Sequence, residues 1–142
     1  DVFKARAAEL SISEKITWHG ACDQPEVIEA MRRSDVFVLP SRIASDGDRD
    51  GLPNVLMEAA SQKLCILSTP VSAIPEFIET GTHGILSDDD PIALAAAMLS
   101  IARDFEMRTA LADAAYERLT EHFLMAPGIV QLDRRLATLF AD

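Results

Sequence analysis

Val36, Phe37, Val38 and Leu39 form an unbroken apolar run that Pro40 and Ser41 close. A strand without polar alternation has no face to give to water, so it is expected in a parallel sheet with helices packed on both sides. The neighbouring sequence supplies such helices. Upstream, Asp23 and Pro25 open one whose Val27, Ile28 and Met31 make an apolar stripe. Downstream, Pro53 stands in a first helical turn, and Asn54 to Gln62 continue that helix with Val55, Leu56 and Ala59 inward. Leu64 to Leu67 reads as a further strand, Ile74 to Ile78 as one or two helical turns, and Gly84 to Leu86 as a very short strand. Ile16 to Trp18 reads as a brief strand before the turn His19, Gly20, Ala21.

The flanks are helical. Val2 to Leu10 places Phe3, Ala7 and Leu10 on one face. After Asp90 and Pro91, Ile92, Ala95, Leu99 and Ala102 line one helix; Met107, Leu111, Ala115 and Leu119 line the next; and Val130, Leu132, Leu136 and Phe140 line the last. Strand and helix in alternation, then helices alone, predict an α/β fold: a partial Rossmann-like, doubly wound parallel sheet of about four short strands with a helical C-terminal tail.

A chain of 142 residues, 49% of them apolar, has the material for one sizeable core and not for two substrate-holding domains. Thirteen basic residues against 23 acidic ones leave a formal charge of −10, and no Lys or Arg stripe could neutralise a phosphate backbone. Nucleic acid is thereby excluded as a partner, and contact with membrane is at most peripheral. No apolar stretch is long enough to span a bilayer and the N-terminus lacks the layout of an export signal, so a soluble, cytoplasmic protein is expected. Cys22 and Cys65 have neither metal-ligand nor redox spacing and are expected as reduced thiols, at least one of them buried in a strand. His19, His83 and His122 are too scattered for a metal site, and Ser41, Ser68 and Ser72 follow strands without a nucleophile elbow.

The chemistry concentrates at the loop-to-helix junction DGLPNVLME, Asp50 to Glu58, which follows the strand ending in VLPS. In an open parallel sheet, ligands bind at the carboxyl ends of the strands. A helix's first turn there offers unpaired amides and the positive end of a dipole, so it can receive a diphosphate even on an acidic protein. Pro53 removes one donor; Gly51, Leu52 and Asn54 keep theirs. Glu58 lies one turn beyond Asn54, roughly 7 Å along the axis from Pro53. Amides flanked by two carboxylates suit a nucleotide sugar, with the acids taking hydroxyls at either end of the diphosphate.

The phrases ITWHG, SDVFVLPS, DGLPNVLMEAAS, LCILSTPVSAIPEFIETGTHGIL and DDPIALAAAM run from Ile16 to about Ala102 in an order that resembles the C-terminal domain of the group 1 glycosyltransferases. These are retaining, two-domain (GT-B) enzymes that build bacterial polysaccharides and glycolipids. The family's signature is two glutamates separated by seven residues; here the second matches Glu58 and the first falls on Asp50. The resemblance implies that Glu58 holds the ribose hydroxyls, that Asp50 contacts the donor sugar, and that the amides of Gly51, Leu52 and Asn54 face the phosphates. It places the base near the turn after Gly20, around Ala21 and Cys22. The shorter side chain of Asp50 retracts its carboxylate by roughly 1.5 Å. Either the acidic loop moves inward or the contact weakens; the long loop SDGDRDGLP is similar to a subset associated with exopolysaccharide assembly, and that resemblance would make the aspartate native to the subset.

The family's early Arg and Lys, which neutralise the leaving diphosphate, have no counterpart, nor do the first strands of the domain or the N-terminal acceptor domain. The resemblance therefore implies that residues 1–142 are a donor-binding domain within a longer polypeptide. It would need no metal or cofactor. Its partners would be a nucleotide sugar and, through the absent N-terminal domain, a carbohydrate or lipid-linked acceptor; alone it would be inactive. Two alternatives stand beside this. One is a non-catalytic nucleotide-binding or interaction module on the same scaffold. The other is a calcium loop at Asp46, Asp48, Asp50 and Gly51, which departs from the EF-hand pattern because Met57 takes the position of the closing glutamate.

Overall fold

The structure, a computed structural model, describes residues 1–47, 51–124, 128–130, 132–133 and 136–137. Among the described residues, four of the five helices of eight or more residues begin at an aspartate that accepts the first free amides. Asp1 accepts from Phe3 N–H at 3.2 Å ahead of α1 (Val2–Glu9), and Asp90 accepts from Ile92 and Ala93 ahead of α5 (Pro91–Arg103). Asp104 accepts from Met107 at 2.9 Å ahead of α6 (Phe105–Arg118). At α2 (Gln24–Arg32) the cap is reciprocal: Asp23 accepts from Glu26 N–H at 3.0 Å, and the Glu26 carboxylate accepts from Asp23 N–H at 2.9 Å. Such caps contribute about 1 kcal/mol each. The exception is α3 (Asn54–Ser61), headed by Pro53, which offers no side-chain acceptor.

The sheet is parallel, with strand order β1 (Val36–Leu39), β2 (Cys65–Ser68), β3 (Ile85–Leu86). Val36 pairs with Cys65 and Leu39 with Ser68, while Leu67 pairs with Ile85. Side-chain alternation along β2 builds two cores. Ile66 enters a cluster with Leu56, Ala59 and Ala60 of α3, Ile74 and Phe77 of α4 (Ile74–Phe77), and Ala115 of α6. Cys65 and Leu67 point the other way, against Ile101 of α5 and Leu111 of α6. All four residues of β2 are buried, which is the doubly wound arrangement in its central strand.

Four expectations need correction. The sheet has three described strands and not four, because Ile16 to Trp18 form no ladder. Ile16 has extended dihedrals, yet Thr17 and Trp18 lie exposed with no strand beside them, and an extended segment without a neighbour cannot close a ladder. Nor is β1 buried on both faces: it lies at the sheet edge, and Val38 is 36% exposed. Finally, Ile92, Ala95, Leu99 and Ala102 face solvent, with Ile92 80% exposed, while Leu94, Ala97 and Ile101 make the packed face of α5. That helix is apolar around most of its circumference, so its periodicity did not single out the inner face. At the N-terminus, Ala7 is buried as expected, but Phe3 and Leu10 are exposed.

The remaining elements follow the sequence closely. Lys63 adopts a left-handed φ of 56° and ends α3, with its N–H donating to Ala60 O and Leu64 N–H to Ala59 O. Beyond Arg118, α6 passes into one π-helical turn, Leu119–Phe123, that brings Phe123 edge-on to Phe77 at 4.9 Å between ring centroids. No described helix is long and apolar enough to cross a membrane.

Candidate functional site

Two hydroxyls fasten the carboxyl end of the sheet. Ser68 Oγ donates to Leu39 O at 2.7 Å and Thr69 Oγ1 donates to Ser41 O at 2.6 Å, so the chain leaving β1 is held against the end of β2. Both side chains are buried and hydrogen-bonded, which assigns them to scaffolding and not to nucleophilic chemistry. From that anchored exit the chain passes through Arg42, whose Nε donates to Asp89 Oδ1 at 2.6 Å. This pair links the loop after β1 to the loop after β3.

The opening of α3 is accessible. Gly51 and Asn54 are exposed, and Leu52 and Pro53 are partly buried. A Cβ added to Gly51 would meet nothing within 4 Å, so the scaffold leaves open space beside that backbone. Glu58, one turn along, is partly buried, and its Oε1 accepts from Gln24 Nε2 of α2 at 2.8 Å. Leu56 and Ala59, on the opposite face, are fully buried and fix how the helix lies on the sheet. The site is thus an uncapped helix start at the carboxyl end of a parallel sheet, with a carboxylate above it. Chemically it offers backbone donors and a positive dipole to an anion, and an acceptor pair to hydroxyls.

The sequence-derived residues do not all meet here. Gly51 and Leu52 lead through Pro53 into α3, whose opening turns carry Asn54 and Glu58. Asp50 lies outside the described residues, as does Asp48, on which the calcium reading depended. Gly20 has a left-handed φ of 72° and the chain bends at Ala21, where the sequence predicts a turn. Ala21 and Cys22 line a groove of about 660 Å³ that runs along α2 past Pro25, Glu29 and Arg33, and no residue of α3 lines it. The base and ribose positions implied by the resemblance therefore sit on separate elements joined by the Gln24–Glu58 bond. Gln24 carries no local motif. A contact across 34 residues comes from the docking of α2 on α3, and an unremarkable glutamine gives no signal of it in the sequence.

Cys22 is exposed and Cys65 is buried in β2, matching the reading of two free thiols. Burial pushes the Cys65 thiol up to about 11, against a smaller opposing influence from the Arg108 charge. His83 is held below its usual value, first by burial and then by the Arg118 charge, and its Nδ1 accepts from Glu79 N–H at 3.4 Å.

The sequence pattern of the family Glycosyl transferases group 1 matches residues 2–104. This chain belongs to that family. A glycosyltransferase named for colanic acid biosynthesis, WcaL of Salmonella typhimurium, is 32% identical over 133 residues, covering 92% of this chain and 32% of its own length. The chain thus spans about a third of the length of that curated relative. Among solved structures, the C-terminal domain of the group 1 glycosyl transferase LpcC from Francisella tularensis superposes with a TM-score of 0.69 at 21% identity, over 87% of this chain and 62% of that one. Anabaena HepE in complex with UDP superposes with a TM-score of 0.80 at 17% identity, over 96% of this chain and 36% of that one. These likenesses establish the fold, a parallel α/β unit similar to those of GT-B glycosyltransferases. The accessible start of α3 and Glu58 both lie within the matched region.

Proposed function

We propose that residues 1–142 are the donor-binding part of a retaining glycosyltransferase that moves a sugar from a nucleoside diphosphate to a carbohydrate or lipid-linked acceptor in polysaccharide or glycolipid assembly. The observation that carries this reading is the start of α3, which alone among the longer described helices has no side-chain cap and has Glu58 one turn above it. The family membership, a relative named for colanic acid biosynthesis, and a structural neighbour in complex with UDP support it. In this reading the α3 amides hold the diphosphate and Glu58 accepts from the ribose hydroxyls. The donor sugar is assigned to Asp50, and the base to Ala21 with the turn at Gly20. As the glycosidic bond to the donor breaks, charge accumulates on the departing diphosphate, where aligned amides stabilise it without reorganising. Neither a resident metal nor a cofactor enters the scheme. The remaining cations and the acceptor site belong to a longer polypeptide, so these 142 residues alone bind nucleotide weakly and do not turn over.

Calorimetric titration with UDP, GDP and their sugars tests the reading. Loss of a hydrogen bond to a charged group costs about 1.5–3 kcal/mol, so Glu58→Ala should weaken binding roughly 10- to 150-fold. Gly51→Ala should weaken binding with an unchanged melting temperature, since the space its methyl enters is empty in the protein and occupied only with ligand bound. Failure to bind any of these nucleotides, or full affinity in Glu58→Ala, overturns the assignment.

A further inference from the structure

Gln24 occupies the first turn of α2, and its side chain is not used to cap that helix, because Asp23 and Glu26 already close it. It reaches across to α3 instead, where Nε2 donates to Glu58 Oε1 at 2.8 Å. The direction is fixed by chemistry, since an ionised carboxylate only accepts. A second bridge, Arg32 Nε to Gln62 Oε1 at 3.0 Å, ties the far ends of the same two helices. The two bridges thus join the start and the end of α2 to the middle of α3 and to its C-cap. Between the bridges, Val27, Ile28 and Met31 of α2 pack into the cluster that holds Leu56 and Ala59 of α3.

We propose that Gln24 is a positioning residue for donor recognition: it locks the rotation of the Glu58 carboxylate so that its remaining lone pairs accept the ribose diol. This inference rests on the reading of Glu58 as the ribose acceptor. A carboxylate has about four acceptor directions. Gln24 takes one, leaving enough for two hydroxyls and removing a free torsion from a long side chain. Without that donor the carboxylate must be ordered when the nucleotide arrives, and the cost falls on binding. The base-side turn at Ala21 and Cys22 continues directly into α2, so the same bond ties the border of the base position to the ribose acceptor. Gln24 itself need not touch the nucleotide.

The test measures, in the intact protein, the affinities of UDP and GDP and of their 2′-deoxy forms, and takes the ratio of ribo to deoxy binding as the readout. A residue needed only for folding would change both affinities together. Glu58→Ala should abolish the preference for the ribonucleotide. Ordering one long side chain costs enough that Gln24→Ala should reduce that preference about threefold to tenfold, with deoxy binding changed by less than about twofold. Gln24→Lys, which keeps a donor, should retain most of the preference, and Gln24→Glu, which sets a second carboxylate against Glu58, should lose more than the alanine variant. If Glu58→Ala abolishes the preference but Gln24→Ala keeps it whole, or weakens both forms equally, the role of Gln24 is refuted while the reading of Glu58 survives. If Glu58→Ala keeps the preference, both fall.

Discussion

Gly84 is the position where the backbone tolerates a side chain least. A Cβ placed there would stand 2.6 Å from Ile66 O and 3.1 Å from Ile78 Cγ2. An ordinary carbon-to-carbonyl contact is about 3.3 Å, so relief requires a shift of roughly 0.7 Å. Neither neighbour can give cheaply: Ile66 lies in the central strand with partners on both sides, and Ile78 is fully buried. Forcing a methyl into packed surroundings costs about 1–3 kcal/mol. The φ of 158° at Gly84 adds about 1–3 kcal/mol for a residue with a Cβ. Alanine's smaller unfolded-state entropy returns about 0.4–1 kcal/mol. Gly84→Ala should therefore destabilise by about 1–5.5 kcal/mol, worth on the order of 3 °C of melting temperature per kcal/mol in a chain of this size. Gly20→Ala is the control, because its φ is 72° but nothing lies within 4 Å of its Cβ. It should cost no more than about 1–2 kcal/mol. Urea midpoints at matched slopes give both values. A Gly84→Ala variant as stable as Gly20→Ala would show that β3 does not approach β2 as closely as described.

Two further outcomes follow from the titrating groups. A thiol reagent should label Cys22 at once and Cys65 only as the chain unfolds, since the one is exposed and the other is buried with its thiol pushed up to about 11; prompt labelling of both would contradict the burial of β2. His83 is held below the usual histidine value of 6.5, so the unfolded chain binds its proton more readily than the folded one. The stability this contributes is complete above 6.5 and is lost as pH falls from there through the lowered folded value. Wild type should accordingly lose more stability than His83→Gln between about pH 7.5 and about pH 5.5, and equal losses in denaturant titrations would refute the burial of His83.

How much of this was legible in the sequence depended on whether a signal was local. The bounds of β1 matched because Pro40 ends a run of four apolar residues. The helix heads matched because aspartate and proline act on the first turn of their own helix. The expected Leu64 to Leu67 strand lies one residue early: Leu64 still takes part in the left-handed close of α3, which nothing in the composition of the strand reveals. Features set by neighbours were misread. Whether Ile16 to Trp18 becomes a strand depends on a partner at its side, and which face of α5 packs depends on where the sheet lies beneath it. For the site, the motif placed Gly51, Leu52, Asn54 and Glu58 together at the junction that opens α3, while the donor on Glu58 became visible only with α2 docked.

The outer edge of β1 carries a consequence for handling the protein. Among the described residues its backbone donors and acceptors on that side have no strand to satisfy them, and Val38 lies open beside them. Such a rim is a template on which a second chain can extend the ladder. What opposes this is mutual repulsion between molecules that each carry a formal charge of −10. Salt weakens that repulsion, so the domain handled by itself should stay dispersed in dilute buffer and begin to self-associate as ionic strength rises.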